Sequence, residues 1–361
     1  MAETETPNSP APPPAMVAVF NQKGGVGKTT TACNLAICLT AFGYRVLLVD
    51  LDTQGNASAS FGVAPLPAEG AFEVIAGRVD IADVALDTVY EGLWLLPATQ
   101  SLRDNDHLLA PSGRRRGLLE ARLVETGVDV VVVDCPPSLS AASATALASA
   151  TAVLMPVRPD PFAHDGLVNT WYEVRRVRET VNYQLDVAGI LLTMSGSDPT
   201  SEDVARVIRA EFGDHVLGAE IPADPAVAEA AQLGLPVTVF EPDGKVGLAH
   251  LDATRKMLDL LIRQNRHWAH LPPPAEGEGA LDQLRNWRTT LHAEIPRRAV
   301  APAWVPPPTA RTNAPPPSTG GESAAPPSKR ASWNRILIVT AVFAAGMAVE
   351  ALADLLGRML R

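Results

Sequence analysis

The apolar and polar positions divide the chain into three regimes. Residues 1–15 are acidic, Pro-rich and without an apolar core, which predicts a disordered N-terminal tail rather than a secretory signal. From Met16 to Leu271, short unbroken apolar runs alternate with stretches of helical periodicity. The runs are Met16–Phe20, Arg45–Asp50, Gly92–Leu96, Val128–Asp134, Ala152–Val157 and Val187–Thr193, and Thr31–Phe42 is the first helical stretch. Strands apolar on every residue, rather than on alternate ones, belong to a parallel sheet covered on both faces. The pattern therefore predicts a doubly wound, mostly parallel α/β fold over residues 16–271. Ligands of such folds bind beyond the carboxyl ends of the strands, and the segments after Phe20, at Asp50 and at Asp134 all lie at such ends.

Beyond Leu271 the rhythm breaks into Pro, Ala, Ser and Gly, so residues 272–335 read as an extended linker. One island, Ala280–Glu294, has Leu281, Leu284, Trp287 and Leu291 at helical spacing. It predicts a short helix that either docks a partner or packs back on its own domain. After Lys329, Arg330 and Arg335, the run Ile336–Val349 is uncharged and apolar, and Glu350, Asp354 and Arg358 then share one helix face. Ile336–Leu356 has the roughly 20 residues a bilayer span needs. Each acid costs roughly 2.5–3.5 kcal/mol at the bilayer centre and less near an end. The expectation for 336–361 is a C-terminal membrane anchor, as a span or as an interfacial helix, with the preceding basic residues and the main domain on the cytoplasmic side.

Composition changes this picture in two places. With 361 residues, 47% of them hydrophobic, the chain can fill one large core and carry appendages. Cys33, Cys38 and Cys135 form no CxxC pair and have no clustered histidines beside them, which argues against zinc and iron–sulfur chemistry and for buried, reduced thiols. The formal net charge of −10 works against general affinity for nucleic acid. Local arginine groups remain: Arg114–Arg116, then Arg175, Arg176 and Arg178, then Arg206 and Arg209. They are either DNA-contacting patches or solvated helix faces.

The chemistry concentrates in Asn21-Gln-Lys23-Gly24-Gly25-Val26-Gly27-Lys28-Thr29-Thr30, a glycine-rich loop between a strand and a helix. Glycines let successive backbone N–H groups converge on phosphate oxygens, the helix N-terminus adds positive potential, and Lys28 and Thr29 supply a cation and a hydroxyl for Mg²⁺. The GxxxxGK[ST] pattern is met in a variant register, because Lys23 stands where that pattern begins with glycine.

With this second lysine the chain resembles the ParA/MinD family of dimerising P-loop ATPases. The resemblance runs from Met16 to Arg263 and includes Asp50-Leu-Asp52-Thr-Gln-Gly55-Asn56, Asp134-Cys-Pro-Pro137 and Pro156-Val-Arg-Pro-Asp-Pro-Phe162. It implies an ATP hydrolase using Mg²⁺, with Gly24–Thr30 binding the nucleotide together with Pro222 and Asp224. Lys28 would hold the β- and γ-phosphates, Thr29 and Asp134 would serve the metal, and Asp52 would orient the attacking water. Asp50 either joins the metal site or simply ends its strand. Gly55 and Asn56 would belong to a switch that answers the γ-phosphate, and Pro136-Pro137 would stiffen a second one. Lys23 would reach the phosphates of the partner subunit in an ATP-bound homodimer, so that hydrolysis needs dimerisation.

The resemblance also implies a ParB-like or other activating partner protein and a surface to which the ATP-bound dimer binds. DNA-segregating members carry basic residues in the stretch aligned with Ile221–Glu229, whereas this chain has no Arg or Lys there. The leading expectation is ATP-driven partitioning of DNA, with membrane-tethered positioning of a protein assembly as the alternative. A small-molecule P-loop ligase or reductase would need a substrate pocket or cluster ligands that the sequence does not offer.

Overall fold

A computed structural model describes residues 13–105, 109, 120, 122–123, 126–196 and 198–294. Among the described residues, eight strands form one sheet in the order β3-β4-β2-β5-β1-β6-β7-β8. They are β1 (Ala15–Val19), β2 (Val46–Asp50), β3 (Leu86–Asp87), β4 (Leu93–Leu96), β5 (Val130–Asp134), β6 (Ala152–Val157), β7 (Asp186–Ser195) and β8 (Val216–Pro222). Each neighbouring pair is parallel except β3 and β4.

Every residue of β1, β2 and β5 is buried, which is why these strands read as unbroken apolar runs. Successive side chains feed two cores. On one face Val17, Val19, Leu48 and Val132 meet α1 (Lys28–Ala41), and on the other Met16, Ala18, Leu47 and Val131 meet α2 (Ala141–Ser149). Beside α2 lie α3 (Ala163–Thr180) and α4 (Pro199–Phe212), and beside α1 lies α5 (Lys245–Gln264). The fold is the doubly wound, mostly parallel sheet expected from the sequence. The pattern of unbroken runs did not reveal β8, because β8 is an edge strand: Leu217, Ala219 and Ile221 turn inward while Gly218 and Glu220 are exposed.

The chain does not leave the fold at Leu271. Trp268 is fully buried and donates from Nε1 to Thr151 Oγ1 at 3.1 Å, and Tyr44 Oη donates to the Pro272 carbonyl at 2.7 Å. A further helix, α6 (Gly277–Glu294), then lies on the α1 face with Ala280, Leu284, Trp287 and Leu291 in the core. The Trp287 ring meets Tyr90 edge-on at 5.3 Å, and Arg285 forms an ion pair with Asp243. The first part of the expected linker, 272–294, is thus packed against the domain, because a helix carrying Trp and three other apolar residues on one face buries them where it can. The rest of that linker, the expected anchor at 336–361 and Arg114–Arg116 lie outside the described residues. Among the described residues no helix is long and apolar enough to cross a membrane.

Candidate active site

The glycine-rich loop is shaped by its own backbone and pinned at its entrance and in its middle. Gly25 and Gly27 take φ +71° and +80°, a left-handed conformation that is costly for other residues. At the entrance Asn21 donates from Nδ2 to the Pro156 carbonyl at 2.8 Å and accepts from the Lys23 N–H at 3.0 Å. In the middle Val26 is buried, and its carbonyl accepts from Thr193 Oγ1 at 2.8 Å. The exposed Gly24 and Gly25 leave the loop mouth open, and the first turn of α1 contains no acidic residue that would oppose an anion.

Three carboxylates stand near this loop: the sheet register places Asp134 and Asp50, and Asp52 follows two residues beyond the end of β2. Asp134 ends β5 in register with Asp50 at the end of β2 and with Val19 at the end of β1. Asp134 is fully buried, and neither of its oxygens has a hydrogen bond of good geometry. Burial pushes its pKa well up and the neighbouring Asp50 adds to this, while the adjacent Thr29 hydroxyl and Lys28 work against it. Such an orphaned carboxylate beside a threonine hydroxyl suits a hard cation that prefers oxygen ligands. Among the described residues no group of three His, Cys, Asp or Glu side chains could hold a metal by itself.

Asp50 is differently committed. One oxygen accepts from the Ser58 N–H at 2.8 Å and from Ser58 Oγ at 2.7 Å, and the other accepts from the Asp52 N–H at 3.1 Å. Burial raises its pKa to about 6. These bonds tie the turn carrying Asp52, Gly55 and Asn56 to the sheet, so Asp50 holds that turn in place. Asp52 is buried, and its Oδ1 accepts from the Gln54 N–H at 2.9 Å.

The two lysines face different partners. Lys28 is buried and donates from Nζ to the Lys23 carbonyl at 2.8 Å. Burial lowers its pKa, and the charges of Asp134 and Asp52 counter that. Lys23 forms an ion pair within its own chain, donating to Asp160 Oδ2 at 2.6 Å and also to Oδ1. Asp160 stands in the quoted motif Pro156–Phe162, yet its sequence gave no hint of this role, since the two residues are 137 positions apart.

Pro222 and Asp224, carried over by resemblance, line a cavity of about 560 Å³ together with Gly27, Thr30, Thr31, Met194 and His250. Of the candidate DNA contacts, Arg175 pairs with Glu179, Arg176 with Glu173, Arg178 with Asp186, Arg206 with Asp203 and Arg209 with Glu220. The three cysteines are buried free thiols, and burial pushes Cys38 up to about 12.

A strand–loop–helix phosphate cradle facing carboxylates at the ends of two adjacent parallel strands defines the protein as a P-loop nucleotide-binding α/β protein. A family model described as an AAA domain matches residues 15–187. The chromosome partitioning protein ParA of Caulobacter vibrioides is 37% identical over 254 residues, covering 69% of this chain and 95% of its own. The sporulation initiation inhibitor protein Soj of Bacillus subtilis is 34% identical over 246 residues, covering 67% and 97%. A solved structure described as cobyrinic acid a,c-diamide synthase from Mycobacterium smegmatis, with bound ATP analog and magnesium, matches with a TM-score of 0.59 at 31% identity over 73% of this chain and 98% of its own. The chain belongs to the ParA family of P-loop ATPases.

Proposed function

We propose that the chain is a Mg²⁺-dependent ATP hydrolase that dimerises on binding ATP and serves chromosome or plasmid partitioning, released from its dimer by a ParB-like activating protein. The observation that carries this reading is the buried Asp134 carboxylate, without good hydrogen bonds, next to Thr29 and Lys28 at the loop mouth. Thr29 and Asp134 would hold Mg²⁺, which when bound neutralises charge on the phosphates. Gly24–Thr30 present backbone N–H groups and Lys28 a cation to the triphosphate, while Asp52 orients the water. Asp50 fixes the switch turn on which Asp52 rides.

Lys23 is the part supplied to the partner subunit. Its pairing with Asp160 fits a resting monomer in which that charge is held at home, to be surrendered when two ATP-bound copies meet. The relatives named for chromosome partitioning support DNA as the cargo. The acid partners of Arg175, Arg176, Arg178, Arg206 and Arg209 mean that DNA contact through these residues requires their pairs to rearrange. The test is hydrolysis and light scattering with and without ATP, followed by retention on non-specific duplex. ATP-dependent dimers retained at low salt and released at high salt are expected; a protein that stays monomeric with ATP overturns the reading.

The apolar run Ile336–Val349 favours a tethered variant of the same switch. Carbonate extraction of the full chain against one ending before Ile336 separates the two, since only an anchored chain resists extraction.

A further inference from the structure

Thr31 and His250 come from different helices, and each brings a buried polar atom that no other protein group satisfies. Thr31 Oγ1 stands on the first turn of α1 and His250 Nε2 on α5; both atoms are shut off from solvent and neither has a hydrogen-bond partner. The residues are 2% and 3% exposed. Buried polar groups are nearly always paired, with protein or with an ordered water, because an unpaired one forfeits the bonds that water gives it in the unfolded chain.

The two residues share an enclosed space of about 10 Å³, separate from the open cavity. Leu35, Leu154, Leu191, Leu217 and Met257 wall it, and Thr254 is a third polar residue on its lining. The size selects the occupant. One water needs roughly 10–15 Å³ and two to four polar partners, so neither a second water nor an organic ligand fits.

The hydrogen-bonding capacities also match. Thr254 Oγ1 spends its proton on the His250 carbonyl at 2.8 Å, which leaves it lone pairs to offer. Burial lowers the pKa of His250 to about 4, so the imidazole is neutral, with one donor and one acceptor nitrogen. The Thr31 hydroxyl can donate or accept.

We propose that one internal water occupies this space, bonded to Thr31 Oγ1, His250 Nε2 and Thr254 Oγ1, and that it joins the first turn of α1 to α5. Three bonds are the usual number for such a water. Thr31 and His250 are then positioning residues for the phosphate loop. The Thr31 N–H donates to the Gly27 carbonyl at 2.8 Å, and Thr31 follows Lys28 and Thr29 by less than one helical turn. Direct bonds hold the loop at its entrance, through Asn21, and in its middle, through Val26. Its exit, where α1 begins, is held through the water.

The water itself is tested by counting long-lived internal waters in the full chain with oxygen-17 magnetic relaxation dispersion. Thr31→Val and His250→Leu should each lower the count by about one, while Thr31→Ser, which keeps the hydroxyl, should not. Thermal melting checks folding, and if His250→Leu does not fold, Thr31→Val decides alone. A count unchanged by the folded variants, as when hydroxyl and imidazole simply bond each other, overturns the proposal. The positioning role, which rests on the preceding reading of the loop, is tested by binding of inorganic tripolyphosphate with Mg²⁺. Each of the two variants should weaken binding about threefold or more and the double variant no further, since either change alone releases the water. Thr31→Ser should bind as wild type does. Losses that add in the double variant overturn the positioning role. Failure of wild type to bind tripolyphosphate strikes instead at the reading of the loop, and the water count still decides the water.

Discussion

The sheet has a hollow at each end, and the larger one is at the end opposite the loop. At the amino end of β7, a cavity of about 960 Å³ lies among Trp171, Arg178, Tyr183, Asp186, His215 and Gln264. At the carboxyl ends, the space beside the loop is about 560 Å³. What separates them is the state of their polar groups. In the larger hollow Asp186 is engaged by Arg178 at 3.5 Å and by Asn265 Nδ2 at 2.9 Å, and Tyr183 stands 70% exposed to water. Around the smaller one and at the adjoining loop mouth, Asp134, Thr31 and His250 are buried and unmatched within the protein. Solvated, satisfied groups have nothing further to gain from a ligand, whereas buried unmatched ones do. Volume therefore points to the wrong end of this molecule, and unsatisfied burial to the right one.

The strongest test of the contrast is loss of the loop cation. Lys28→Ala or Asp52→Ala should lower ATP turnover by about 10²-fold or more, as removal of a charge-stabilising or water-positioning group does. Turnover that survives either change sinks the assignment. The core behind the loop comes next: Trp287→Ala, which opens a hole beneath α6, should cost about 3–5 kcal/mol in denaturant titration.

Asp134→Asn probes the unmatched carboxylate through pH. Its folded pKa is raised, so its contribution to stability is present below the ordinary aspartate range and disappears as pH climbs. Asp50, raised to about 6, behaves alike, its contribution lost as pH rises through that value. Without nucleotide or Mg²⁺, the melting temperature of Asp134→Asn minus that of wild type should grow as pH rises from about 4 upward, and a shrinking difference would contradict the burial argument.

Asp160→Ala should change stability by less than about 1 kcal/mol, because the pair it breaks is part-exposed. The same change should make ATP-dependent self-association easier, readable as a lower dimer dissociation constant by light scattering. At the far hollow, Arg178→Ala combined with Tyr183→Ala should leave turnover within about twofold, since nothing there is waiting to be matched.

What the sequence made legible was whatever depends on neighbours in the chain. Six strands followed from unbroken apolar runs, and the loop followed from Gly24–Thr30, because glycine dihedrals and the N-terminus of α1 are local matters. β8 escaped because an edge strand buries only alternate residues. The partners of the loop escaped for another reason: Asn21 is held by Pro156, Lys23 by Asp160 and Val26 by Thr193, all more than a hundred positions away. Asp50 was ambiguous for the same cause, since only the fold brings Ser58 to its oxygens. His250 gave no signal, as one histidine on an apolar helix face is ordinarily just core.

The seating of α6 has a mechanical consequence. Its buried face rests on α1, the helix whose first turn carries Lys28 and Thr29, and its last residue is where the chain continues toward its C-terminus. The helix that cradles phosphate is thus covered directly by α6, so a change that loosens α6 reaches α1 through a single layer of side chains.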